Sequence, residues 1–266
     1  MSDFFGLPVL ASEHGATVDQ ALIIVHGVML VALILWGGVF YTALFKFRRK
    51  KHPQADYHGL RSKLPYVAVA VLAVVELVML FGISLPFWEH QVVAMPEDPD
   101  PVEVRVIAQQ FQWNVHYPGP DGLFGQTAIA LIDEQVNPLG LDPKDPAGTD
   151  DFTTRAQLYL PVNRTALIHL GSKDVIHGFA LPEFRVKQDA IPGMSIPVHF
   201  KPTMTSEEFK KVSGDEARGF EIACAQLCGI NHYFMRGFVT IQTQEQFDDW
   251  VAKQVKAKQE QAEESW

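Results

Sequence analysis

Hydrophobic positions divide this chain into two long apolar runs and a remainder that alternates in short stretches. The first run, Ala21 to Phe45, covers 25 residues without a charge and holds a single histidine, His26. The second, Leu64 to Trp88, is also 25 residues long and contains one acid, Glu76. At ~1.5 Å per helical residue, each run is long enough to cross the ~30 Å hydrocarbon core of a bilayer with some tilt. Tyr41, Tyr66 and Trp88 lie towards the run ends, where amphipathic rings favour the interface. Between the runs, residues 46–63 carry seven Lys or Arg against one Asp. Basic loops stay on the cytoplasmic side, so the pattern predicts a transmembrane hairpin over 21–88 with both chain ends outside. Residues 1–20 hold Asp3, Glu13 and Asp19 but no base and no signal-type apolar core, and read as a short outer segment.

Beyond Trp88 the pattern changes period. Pro96 to Pro101 reads as a linker, and Val102 to Ala108 alternates as a half-buried strand does. An aromatic stretch, Gln109 to Pro118, runs into the turn cluster Pro118-Gly-Pro-Asp-Gly122. Residues 119–154 are rich in Gly, Pro and Asp and read as a long irregular loop, of the kind that is usually functional or mobile. Further strands are predicted at 156–161, 165–170, 195–200, 219–223 and 237–242. Short strands separated by turns indicate a sandwich or small barrel over 89–243. The tail, 244–266, is polar and helix-prone. The fold class expected is thus a membrane-anchored all-β protein.

Charge adds one element. Of 22 bases and 31 acids, 15 and 26 fall after Trp88, so the outer portion carries about −11. Such a surface would speed the approach of a basic soluble partner, and plain solubility accounts for it equally well. No nucleic-acid partner is expected. The cysteine count of two excludes a disulfide scaffold, and no C-x-x-C-H occurs, so no haem is attached to this chain by that route.

Both cysteines sit in one stretch, Glu221 to Arg236, as Cys224, Cys228, His232 and Met235, a C-x3-C-x3-H-x2-M pattern. Two thiolates, an imidazole and a thioether suit copper. Thiolates also bind zinc, but a thioether is a weak axial copper ligand and is not among the usual ligands of zinc. Single-copper sites of the blue type take two His, one Cys and a distant Met, so this set has one thiolate more and one imidazole fewer. The best candidate for the missing imidazole is His177, in Asp174-Val-Ile-His-Gly-Phe-Ala-Leu-Pro182, read as a strand-end loop. Two other readings of the cysteines stand beside this one: a disulfide in an oxidising compartment, and a structural zinc site of two Cys and two His.

The chain resembles subunit II of haem–copper cytochrome c oxidases from about residue 20 to 243. Cys224 to Met235 matches that family's copper-A motif at each fixed position. Asp174 to His177 matches its D-V-x-H, and Lys187 to Gly193 its K-x-D-A-x-P-G. The resemblance implies a cupredoxin-like β-sandwich on a two-helix anchor in a bacterial inner membrane, with the sandwich on the periplasmic side. It implies that Cys224 and Cys228 bridge two coppers and that His177 and His232 each bind one. Met235 and the backbone carbonyl of Gln226 would be the weak axial ligands. Tyr233 and Phe234 would cover the loop and keep water from it. The implied function is acceptance of single electrons from a soluble or membrane-bound cytochrome c and their transfer to haem in subunit I. There oxygen would be reduced to water, coupled to proton translocation. Subunit III is a further expected partner.

Three positions depart from the family pattern or lack a settled role. Many relatives place Glu where Gln226 stands and share a magnesium ion with subunit I through it; a neutral amide ligates that ion only weakly. The family's aromatic stretch commonly has Trp where electrons arrive, and here that position aligns with Phe111, with Trp113 two residues on. Either the donor docks differently, with Asp174 and the 119–154 loop as candidate contacts, or it is a membrane-bound cytochrome c; a plain solvated loop is the other reading of 119–154. The family's E-x-x-W-T near the start of the second helix is missing, and Glu76 lies further along. A carboxyl near mid-bilayer costs ~2.5 kcal/mol or more on insertion scales, so Glu76 either gives protons access to a partner subunit or bonds between helices as the neutral acid.

Three other classes share parts of this pattern. A quinol-oxidase subunit lacks the copper ligands, and a nitrous-oxide reductase has the motif on a larger, usually soluble chain. A copper carrier needs an exposed, exchangeable site.

Overall fold

The computed structural model describes residues 6–54, 57–58 and 62–264, with side chains described to residue 260. Parts of three predicted segments therefore lie outside the described residues: 1–5 of the outer segment, 55–56 and 59–61 of the basic loop, and 265–266 of the tail. The chain separates into two compact units, residues 17–94 and residues 1–16 with 95–266.

The first unit contains two helices. Helix α1 spans Gly15–Lys46 and helix α2 spans Leu64–Val93, both long and apolar enough to cross a membrane. Their apolar side chains point outward on all sides, as a lipid-facing helix requires. Helix α2 runs five residues past the apolar run that predicts it. It changes register twice, with π-type turns at Leu80–Ser84 and Glu89–Val93. Pro86 is the physical reason for the first of these. It has no N–H to give the carbonyl four residues back, so the ladder widens and the Leu85 N–H bonds the Leu80 carbonyl instead.

The second unit is a β-sandwich. Ten strands form two five-stranded sheets: β1 Val102–Gln109, β2 Gln112–Tyr117, β3 Phe152–Arg155, β4 Gln157–Pro161, β5 Ala166–Ser172, β6 His177–Leu181, β7 Val186–Ala190, β8 Ile196–Phe200, β9 Phe220–Cys224 and β10 Arg236–Gln242. One sheet has the order β3-β2-β1-β5-β8, the other β4-β10-β9-β6-β7. The alternation in β1 is realised: Val102, Val104, Val106 and Ala108 are buried, and the residues between them are not. They meet Leu158, Leu160, Phe179, Ile222 and Val239 in one core. Strands β2, β3, β6 and β7 are not separately predicted by the sequence pattern. β6 is buried at all five positions, so it shows no alternation to read.

Two helices and a strap complete the unit. Helix α3, Ser206–Ser213, carries a capping box between Thr205 and Glu208, a T-x-x-E signal present in the sequence. Helix α4, Gln244–Glu264, lays Trp250 on Tyr159, with ring centroids 4.2 Å apart, and edge-on to Tyr117 at 5.1 Å. Near the start of the chain, Ala11 donates its N–H to Glu183 O at 2.8 Å and accepts from the Thr203 N–H at 2.9 Å. Ala11 and Ser12 are buried there, so this segment is a strap bonded to the sandwich.

The β2–β3 connection is built rather than loose. His116 Nε2 and Asp151 Oδ2 lie 2.6 Å apart in full burial, and Asp151 also accepts from the Gly125 N–H at 2.8 Å. Asn137 bonds the backbone of Leu131 and Leu141, closing the tip. Lys258 of α4 donates to Gly148 O at 2.8 Å.

Candidate metal centre

Two pieces of backbone make the site. Strands β9 and β10 are antiparallel neighbours with Arg236 opposite Ala223, and the segment 225–235 is the excursion between them. It leaves β9 at Cys224 and returns through a short 3-10 turn, His232–Phe234. The Cys224 N–H bonds Met235 O at 3.2 Å, closing the neck. Strand β6 pairs with β9 through Phe179 and Cys224, which brings His177 to the same end of the sheet.

Two glycines allow this approach. Gly178, just after His177, lies under the loop: a Cβ there would sit 2.9 Å from the Gln226 nitrogen. The Ala225 N–H bonds the Gly178 carbonyl at 2.8 Å. Gly229, just after Cys228, has φ +135° and would place a Cβ 2.7 Å from Gln110 Nε2 and 3.0 Å from the Phe111 ring. Larger residues cannot take either position without displacing backbone or ring.

The side chains converge. Cys224 Sγ and Cys228 Sγ are 3.7 Å apart, far beyond the ~2.05 Å of a disulfide, and both thiols are free. Donor atoms of His177, Cys224 and Cys228 all fall within 4.8 Å of one another. His177 Nδ1 is 3.1 Å from Met235 Sδ, which is 3.7 Å from Cys228 Sγ. His232 Nδ1 is 3.5 Å from Cys228 Sγ, and the Gln226 carbonyl is 3.2 Å from Cys224 Sγ. The six groups singled out in the sequence therefore meet in one place. His177, Cys228 and Met235 are buried, whereas Cys224 and His232 are half-buried. Burial, together with the adjacent Cys224 thiol, pushes Cys228 up to about 11. Binding of a metal as thiolate must displace that proton. The donors are soft, close and turned towards one another, which fits a thiolate-bridged pair of coppers.

Other expectations change. Asp174, read as a candidate donor contact, is an exposed residue whose carboxylate also bonds to the frame of the site. Its Oδ1 is 2.8 Å from His177 Nε2, and it accepts from the Val175 N–H at 2.6 Å and the Gln110 N–H at 2.7 Å. Burial alone would raise Asp174; the bonds from His177 and from the two amides outweigh it and hold the carboxyl below its usual range. With Nε2 held by Asp174, Nδ1 is the nitrogen of His177 left for a metal, the ordinary arrangement for a ligating histidine. Nothing in the sequence pattern marks that bond beyond the three-residue spacing.

Tyr233 and Phe234 do not cover the loop: they are 74% and 66% exposed. Their 3-10 turn points both rings away from the sandwich. Cys228 and Met235 are instead packed into the hydrophobic core, and Gln110 Nε2 donates to Cys228 O at 2.6 Å. Trp113 is fully buried, edge-on to His177 at 6.2 Å and Phe179 at 5.5 Å, and so offers no surface to a donor. Phe111 is half-buried against the β9–β10 loop at Gly229. Glu76 lies in α2, in the other unit, with its side chain exposed.

Comparison with known proteins follows the same lines. The family model for the periplasmic domain of cytochrome c oxidase subunit II matches residues 102–242, the sandwich from β1 to β10. An alternative cytochrome c oxidase subunit 2 of Bradyrhizobium diazoefficiens is 32% identical over 231 residues, 86% of this chain and 76% of that protein. Cytochrome c oxidase subunit 2 of a Synechocystis species is 28% identical over 264 residues, 92% of this chain and 75% of that one. The crystal structure of the periplasmic domain of cytochrome oxidase subunit II from Bradyrhizobium japonicum is 27% identical, with a TM-score of 0.42. It covers 62% of this chain and 99% of its own. With two apolar helices before a cupredoxin-like sandwich and a family match over more than half its length, this chain belongs to the cytochrome c oxidase subunit II family.

Proposed function

We propose that this chain is the electron-accepting subunit of a cytochrome c oxidase, and that its site holds a binuclear copper-A centre. The observation that carries the reading is the convergence of His177, Cys224, Cys228, His232, Met235 and the Gln226 carbonyl from β6 and the β9–β10 loop. Such a copper pair, when bound, supplies reversible one-electron chemistry. The protein's part is to hold it. Two free cysteines with sulfurs 3.7 Å apart would hold it as thiolates, His177 is oriented by Asp174, and the buried thioether of Met235 lies beside His177. A frame already in place limits the movement that accompanies a change of charge.

The rest of the assembly follows from this reading. Electrons arrive from a cytochrome c near Phe111 and leave to haem in subunit I, where oxygen is reduced and protons are moved. Leu227, Ile230, Tyr233 and Phe234 form an exposed apolar stretch on this loop. It supports a seat for a partner subunit there. The hairpin α1–α2 anchors the chain in a bacterial inner membrane beside subunits I and III, with Glu76 giving protons access to a neighbour. The neutral Gln226 makes a magnesium ion shared with subunit I a weak feature of this oxidase. A copper carrier fits less well, because a carrier gives up its metal, whereas His177, Cys228 and Met235 are buried.

The test is the full-length chain in detergent, loaded with copper. Two coppers per chain with one unpaired electron shared equally by both nuclei is the result expected. One copper, or a zinc form without colour, would sink the reading. Glu76→Gln should lower proton uptake by the assembled oxidase; unchanged uptake would remove Glu76 from any proton path.

A further inference from the structure

The β2–β3 connection takes no part in the copper reading, yet its tip reaches the frame of the site. Glu134 Oε1 is 3.1 Å from Lys173 Nζ, and Glu134 Oε2 accepts from Gln109 Nε2 at 2.8 Å. Lys173 Nζ donates to Gln109 Oε1 at 2.5 Å, and the Lys173 N–H bonds Ala108 O at 3.0 Å. Arg155 of β3 holds the same tip by its bonds to the carbonyls of Glu134 and Gln135. Glu134 thus closes a ring across the ends of β1 and β5.

The next residue along each strand serves the other side. Gln109 is followed by Gln110, which holds the Cys228 carbonyl at 2.6 Å and the Asp174 carboxylate through its N–H at 2.7 Å. Lys173 is followed by Asp174, which holds His177 at 2.8 Å. Two adjacent pairs therefore link a carboxylate on the connection to one copper-binding histidine and to the backbone of one bridging cysteine.

We propose that Glu134 is a positioning residue for the metal centre, and that the β2–β3 connection is a clamp acting through Lys173–Asp174 and Gln109–Gln110. The proposal rests on the copper reading above. Its physical basis lies in solvation. The Lys173 side chain is only 16% exposed, and Glu134 supplies the carboxylate beside its ammonium. Without that carboxylate, the ammonium regains hydration by swinging outward, which releases Gln109 and loosens both turns. A half-exposed ion pair adds little to stability, so the effect belongs in the geometry of the site rather than in unfolding.

The experiment compares copper-loaded full-length chain with E134A, E134Q and K258A. The readouts are copper count, histidine nitrogen couplings in electron spin resonance, reduction potential and release of copper to a chelator. E134A should keep its copper count, change the coupling of one of the two histidines and shift the potential. Its copper should be lost about 5-fold faster, below the ~10–100-fold effect of removing a direct partner of a ligand. E134Q, which keeps an acceptor oxygen for Lys173, should fall between E134A and the parent. K258A cuts a different tether of the same connection, at Gly148, and should match the parent throughout. E134A indistinguishable from the parent in coupling and potential overturns the clamp, as does K258A behaving like E134A. A parent chain with one metal would overturn the binuclear reading instead, and E134A would still report on the clamp through the coupling of His177.

Discussion

At the scale of single residues, glycines and one carboxylate decide whether the ligands can meet. Gly229 combines a φ of +135° with contacts under 3.1 Å from Gln110 and Phe111 to any Cβ. Gly229→Ala should therefore destabilise the outer unit by roughly 1–3 kcal/mol and weaken copper uptake as well. Denaturant midpoints and copper count per chain would show this; a variant with parental values for both would mean that the loop can yield. Asp174 illustrates what a motif leaves out. Its type and spacing do not mark the bond to His177, which only the turn that faces it there provides. Tyr233 and Phe234 make the opposite point. Large aromatic side chains next to ligands suggest a cover, yet on a 3-10 turn at the sandwich's end they face outward.

At the scale of elements, the 119–154 stretch looks like an irregular loop because its order comes from side chains bonded to groups distant in sequence. The His116–Asp151 pair is the clearest example, joining β2 to the end of the connection in full burial. Burial lowers His116 from its ordinary value, and the bond to Asp151 offsets only part of that. The sign follows. Below the ~6.5 of a free histidine the unfolded chain takes up a proton that the folded chain resists, so stability falls as pH drops through that value and levels off above it. Thermal midpoints at pH 5 and pH 7.5 should differ less in H116Q than in the parent. An equal pH slope in the two would exclude His116 as a source of acid sensitivity. Elements with local signals were easier to read. The apolar runs anticipate α1 and α2, alternation anticipates β1, and polar helix-formers anticipate α4. β6 gave no such signal, since burial on both faces removes the alternation that marks a strand.

At the scale of the whole molecule, the candidate metal centre and the attachment of the strap occupy opposite ends of β6. His177 opens the strand, and the strap bonds Glu183 and Phe184 just beyond its close. At ~3.3 Å per residue the two lie about 16 Å or more apart along the chain. Ala11→Asp puts a carboxylate into a fully buried position, and should free the strap without altering the copper spectrum. Faster exchange of the Thr203 amide, which donates to Ala11, is the expected readout. A changed copper spectrum in that variant would show that the strap and the site are coupled.

The sequence by itself determined what is local. Five of the six candidate ligand groups lie within twelve residues, so their spacing points to the chemistry before any fold is known, and two runs of 25 apolar residues point to the anchor. Tertiary structure decided what depends on pairing across long separations. It selected which carboxylate bonds His177, turned Trp113 inward, left the aromatic turn exposed and tied an Asp-rich connection to the residues beside the candidate metal site. These outcomes depend on burial and on hydrogen bonds between residues tens of positions apart. No local period records them, because the free energy of each arises only when the sheets have closed on one another.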